Sequence, residues 1–121
     1  MNRTVITKTL KELGISPSLY GYTYLTDAIE LVIQDETLIR RRVTKELYPT
    51  IAKRYKSKWT HVERNIRHCI EVAYNRGNID LLYDVFGYSI DARKGKATNS
   101  EFIATIAEYL KERENDQRKA D

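Results

Sequence analysis

The stretch THVERNIRHCIEVAYNRG, residues 60–77, gathers several of the chain's chemically active side chains onto one helical repeat. Val62, Ile66, Cys69, Ile70 and Ala73 recur at three and four and form an apolar stripe. Thr60, His61, Glu63, Arg64, Arg67 and His68 lie off that stripe. Arginine pairs bidentately with guanine O6 and N7, and glutamate accepts from the amino group of cytosine. A helix presenting these groups is suited to reading duplex DNA. His61, Glu63, Arg64 and Arg67 are the candidate base readers. Lys53, Lys56, Ser57, Lys58, Thr60 and His68 fall where phosphates would pass, as do Lys94 and Lys96 in a later basic loop.

Other chemistry fits poorly. His68 adjoins Cys69, but neighbours on a helix point about 100° apart and cannot share a hydrogen bond between side chains. His61 and His68 stand two turns apart, roughly 10 Å at the helical rise, too far to share a metal without further ligands. There is no cysteine pair for zinc, and RKGKATNS is no complete phosphate loop. The expectation is a binding module with no catalytic residue, no metal and no cofactor. The nine tyrosines fall mostly on apolar positions and read as core or half-core.

The charge distribution supports a polyanion as the partner. From Arg40 to Arg76 there are eleven Lys or Arg against three Glu, a net of +8, while the rest of the chain holds ten basic and fourteen acidic residues, a net of −4. A basic segment on an otherwise slightly acidic chain is the electrostatic footprint of a nucleic-acid-binding surface. No apolar run reaches the ~20 residues a membrane span needs, and MNRTVITKTL lacks the apolar core of a signal peptide. Both predict a cytoplasmic protein without membrane contact. The single cysteine, Cys69, lies on the apolar stripe and reads as a small hydrophobe.

The elements that must position these residues are helices. Residues 4–13 form a short helix with Val5, Ile6, Leu10 and Leu13 inward, stopped by Gly14. YTYLT has strand propensity, but Tyr22, Leu25, Ile29, Val32 and Ile33 repeat at three and four, so a helix is expected through about Gln34. ETLIRRRV is a short helix or helical turn. A further helix starts near Leu47, with Pro49 in its first turn. SKWT links it to the helix at 60–77. Asn78 or Asp80 caps a short helix that Gly87 closes. Thr98 and Glu101 make a capping box before a last helix that buries Phe102, Ile103, Ile106, Ala107 and Leu110. From Lys111 the apolar stripe ends, and residues 112–121 read as a fraying tail. The fold expected is all-α, a single domain over 1–121 with about six helices. Residues 47–76 fit a central helix-turn-helix, whose second helix enters the major groove while the first crosses the backbone.

VERNIRHCIEVAYNRGNID resembles the DNA-binding effector domains of the stage 0 sporulation protein A family, response regulators that start sporulation in endospore-forming bacteria. So do GYTYLTDAIELV, LYPTIAKRY, FGYSI and TNSEFIATIAEYL, and the likeness runs from about residue 6 to 111. It implies an all-α transcription factor domain that activates or represses at a short operator. Glu63 and Arg64 would be base readers, with Arg67 and His68 as further DNA contacts. The surface after Gly77, with Leu81, Tyr83 and Phe86, would meet a sigma factor of RNA polymerase. Family members carry a phosphorylated N-terminal receiver domain that governs the effector and promotes dimerisation. No receiver is legible in this sequence, so the chain reads as the effector domain alone. Weak self-association on tandem DNA sites is implied, through residues 78–90 and the last helix near Ala107. Many members have Arg where this chain has His61. The alternative is a helical interaction domain whose basic face docks an acidic protein. An RNA-binding domain is disfavoured, since the sheet-borne aromatics and glycine-rich loops of common RNA modules are missing.

Overall fold

The structure, a computed structural model, describes residues 2–87 and 96–120. Among the described residues all regular structure is helical: α1 (Arg3–Glu12), α2 (Tyr20–Gln34), α3 (Thr37–Arg41), α4 (Tyr48–Arg54), α5 (Trp59–Arg76), α6 (Ile79–Phe86) and α7 (Asn99–Ala120). The helical repeat over 20–34 therefore prevails over the β-prone YTYLT.

Local chemistry sets the boundaries. Asn2 caps α1 through a bond from the Thr4 N–H at 2.9 Å. At its other end Gly14, with φ of 93°, closes a Schellman turn: the Gly14 and Ile15 amides donate to Lys11 and Leu10 carbonyls, each at 3.0 Å. Between α3 and α4, Val43–Leu47 makes one π-helical turn, in which the Leu47 N–H reaches back five residues to the Arg42 carbonyl at 2.9 Å. The start near Leu47 holds for α4, with Pro49 in the first turn. Asn78, rather than Asp80, caps α6 by accepting from the Leu81 N–H. Thr98 and Glu101 exchange both bonds of the expected capping box before α7, at 3.0 and 3.2 Å. That helix does not end at Lys111 but continues to Ala120. Residues 111–120 lack an apolar stripe, yet they contain no Gly or Pro and are rich in strong helix formers.

One core joins the helices. Ile6, Leu10, Leu25, Ile29, Ile51, Ile66, Ile70, Phe102 and Ile106 are among its buried residues. Val5, expected inward, is exposed on the outer side of α1. The tyrosines divide. Tyr24 and Tyr48 are buried, Tyr22, Tyr74 and Tyr109 half-buried, and Tyr20, Tyr55 and Tyr83 exposed, so three of them fall outside the expected core or half-core. Tyr88 lies outside the described residues.

Candidate nucleic-acid interface

The pivot of the basic segment is α5. Its inner side is the stripe read from sequence: Val62, Ile66, Cys69, Ile70 and Ala73 are all buried. Two close approaches fix its position. A Cβ on Gly21 would lie 2.1 Å from the Asn65 carbonyl oxygen and 2.6 Å from the Cys69 Sγ, so only glycine lets α2 press this tightly against α5. On the other flank the Asn99 amide, at the start of α7, donates to the Glu63 carbonyl at 3.0 Å.

Thr60, Arg64, Arg67 and His68 are exposed on the outer side of α5. Lys53, Lys56 and Lys58 are exposed in α4 and in the residues that join it to α5, and Ser57 is half-buried there. The four connecting residues, 55–58, are shaped by a second Schellman turn. The Ser57 N–H donates to the Ala52 carbonyl at 2.8 Å and the Lys56 N–H to the Lys53 carbonyl at 3.4 Å. The left-handed position of that turn is occupied by Lys56, with φ of 52°, where glycine is the easy residue. Trp59 opens α5 instead of belonging to the connection, and lines a shallow groove with Pro49, Ala52 and Lys53.

Two of the four candidate base readers stand differently from expectation. His61 is half-buried, its ring edge-on to Tyr20 and Tyr24 with centroids 6.0 and 5.8 Å away. The Asn65 amide, 2.8 Å from the His61 carbonyl oxygen, lies 3.2 Å from the ring Nδ1. The ring is therefore drawn to the flank of α5 toward α2. Glu63 is half-buried on the opposite flank and ion-paired with Arg67 one turn on. Arg64 and Arg67 remain as the two exposed guanidiniums of the outer side. Lys96 is exposed next to the start of α7, and Lys94 lies outside the described residues.

Behind this surface is a buried acid that the sequence reading did not single out. Asp27 of α2 is 2% exposed. It receives the Arg3 guanidinium at 2.6 Å, the Tyr55 hydroxyl at 2.7 Å and Arg54 at 3.4 Å. One carboxylate thus ties α1 and α2 to the C-terminal end of α4, where the turn into α5 begins. In the sequence it is one of two acids in α2, with Glu30, and nothing local tells the buried one from the half-buried one.

On the surface expected to meet a partner, Tyr83 is 57% exposed and Leu81 half-buried. Phe86 is not on that surface. It is buried, packed on Phe102 at 5.3 Å and on Tyr74 at 6.4 Å between ring centroids. Ile79, one turn before Tyr83, is the apolar residue exposed beside it. Ala107 is also buried and offers no surface for self-association. No helix of the described residues is long and apolar enough to cross a membrane.

The family model for the C-terminal part of sporulation initiation factor Spo0A matches residues 6–110, nearly the whole chain. The chain belongs to the sporulation initiation factor Spo0A C-terminal family.

Proposed function

We propose that this domain is a sequence-specific, duplex-DNA-binding transcription factor module in which α4, the 55–58 turn and α5 act as a helix-turn-helix. The observation that carries the reading is the outer side of α5. There Arg64, Arg67, His68 and Thr60 are exposed, and Lys53, Lys56 and Lys58 extend the positive surface toward α4. Phosphate contacts position such a module and base contacts specify it. Arg64 and Arg67 are assigned to base edges. The lysines, Thr60 and His68 are assigned to the backbone. Glu63 acts first on Arg67, holding its guanidinium by an ion pair one helical turn away. Family membership supports a role at sporulation promoters under control of a phosphorylated receiver, activating or repressing at a short operator. The module is assigned no catalytic activity.

Two partner surfaces belong to the same reading. Ile79 and Tyr83, exposed one turn apart on α6, form the apolar patch assigned to a sigma factor of RNA polymerase. Weak self-association is assigned to tandem DNA sites, where tethering to one duplex raises effective concentration to roughly millimolar.

The test is selection of bound duplexes from a random pool, followed by titration of the selected site and its scrambled version. Tighter binding to the selected site by a factor of roughly a thousand supports specific recognition. Equal, salt-sensitive binding to both leaves only a non-specific polycation surface and defeats the proposal.

A further inference from the structure

Tyr20 is 76% exposed, although it is an aromatic residue at the head of a helix that is otherwise largely buried. It does not stand alone. Its ring meets His61 edge-on at 6.0 Å, His61 meets Tyr24 at 5.8 Å, and Tyr24 meets Tyr55 at 5.5 Å. This row of rings crosses from α2, over the first turns of α5, to the residue before Lys56. The Gly21–Asn65 approach places Tyr20 there, because it brings the first turn of α2 onto the flank of α5. His61 belongs to the same helical turn as Arg64, so a ring seated on His61 borders the exposed basic side.

We infer that Tyr20 is a DNA-backbone contact, donating its phenolic hydroxyl to a phosphate at the edge of the groove that α5 enters. The inference rests on the DNA-binding reading and adds a residue and a second helix to it. A helix lying in the major groove has a phosphate strand along each flank, and tyrosine is among the side chains that donate to phosphate oxygens. An aromatic ring with a polar tip suits that position: the ring packs on protein and the hydroxyl stays in water until the duplex arrives. His61, held by Asn65 and by Tyr24, supports the Tyr20 ring instead of reading a base.

The experiment uses the whole chain with its selected duplex and a scrambled one, each titrated over a salt series. Tyr20→Phe removes only the hydroxyl and should weaken both duplexes by about fivefold, the loss expected of one hydrogen bond. The salt slope should be unchanged, because a neutral donor releases no counterion. Tyr20→Lys should recover the affinity and steepen the slope by about 0.9, one additional phosphate neutralised. Tyr20→Glu should bind worse than Tyr20→Phe. Circular dichroism and melting confirm that each variant folds, which the exposure of Tyr20 favours. Parent-like affinity of both Tyr20→Phe and Tyr20→Glu, with Arg64→Ala still losing the selected site, overturns this inference and leaves the DNA-binding reading standing. Equal, salt-sensitive binding of the parent to the selected and scrambled duplexes overturns both.

Discussion

The Tyr55 hydroxyl donates to the Asp27 carboxylate at 2.7 Å, joining the end of α4 to the middle of α2 beneath the basic surface. The acid is buried, whereas the side chains of Arg3, Arg54 and Tyr55 that reach it are each more than a third exposed. Solvent screens an ion pair of such exposure, so the short hydrogen bond from the neutral donor carries a large share of what the carboxylate needs. Tyr55→Phe should destabilise the domain by about 1.5–3 kcal/mol, the range for a hydrogen bond to a charged group. Arg54→Met, which removes the longer 3.4 Å contact, should cost less than about 1 kcal/mol. Urea denaturation of both variants checks the order, and the reverse order contradicts it.

Gly21→Ala sets two effects against each other. Alanine is the better helix former by about 1 kcal/mol. Its Cβ, however, would sit 2.1 Å from backbone oxygen at Asn65, which cannot swing aside as a side chain can. The clash should win, with a net loss of about 1–3 kcal/mol and a shifted α5. A melting temperature equal to or above the parent's would show that α2 and α5 are less tightly apposed.

These two sites show what the sequence could and could not say. The stripe of α5 and the Thr98–Glu101 box are local patterns, legible because their partners lie within a few residues, and the cap of α6 narrows to Asn78 or Asp80 for the same reason. The Asp27 cluster joins residues far apart in the chain, Arg3 on one side and Arg54 and Tyr55 on the other, and no periodicity marks it. Gly21 looks like any glycine in a helix until a second helix is laid on it. His61 illustrates the same limit. The helical repeat places it on α5, but the ring's direction depends on Tyr20 and Tyr24 from another helix. The family resemblance puts Phe86 on the partner surface, but α7 covers it with Phe102.

Cys69 should make stability depend on alkaline pH. Burial pushes its thiol up to about 12. An unfolded chain releases that proton near 8.5, so between the two values the unfolded state binds fewer protons and stability falls as pH rises. The contribution is fully present below about pH 8. Denaturation midpoints measured from pH 7 to 10 should fall more steeply for the parent than for Cys69→Ala. Parallel curves would contradict a buried thiol. At pH 7 Cys69→Ala should itself cost about 1 kcal/mol through a small cavity and bind DNA as the parent does.

Lys56 occupies a left-handed backbone position that disfavours any residue with a Cβ by roughly 1–2 kcal/mol. Lys56→Gly should therefore raise stability by about 1 kcal/mol, part of the strain relief being lost to the freer unfolded chain. It should at the same time weaken all duplexes and lower the salt slope by about 0.9. Calorimetry and salt titration of the same preparation read both effects. A stabilised variant with an unchanged slope would remove Lys56 from the backbone contacts.

The division of labour between reading and positioning is tested most directly by Arg64→Ala, titrated against the selected duplex, single-base variants of it and a scrambled duplex at fixed salt. The account predicts a loss of about 1–3 kcal/mol on the selected site, relaxed preference at one base position, and a much smaller change on the scrambled duplex. Equal losses on all duplexes, with base preference intact, would contradict the assignment of Arg64, exposed on the outer side of α5, to a base edge.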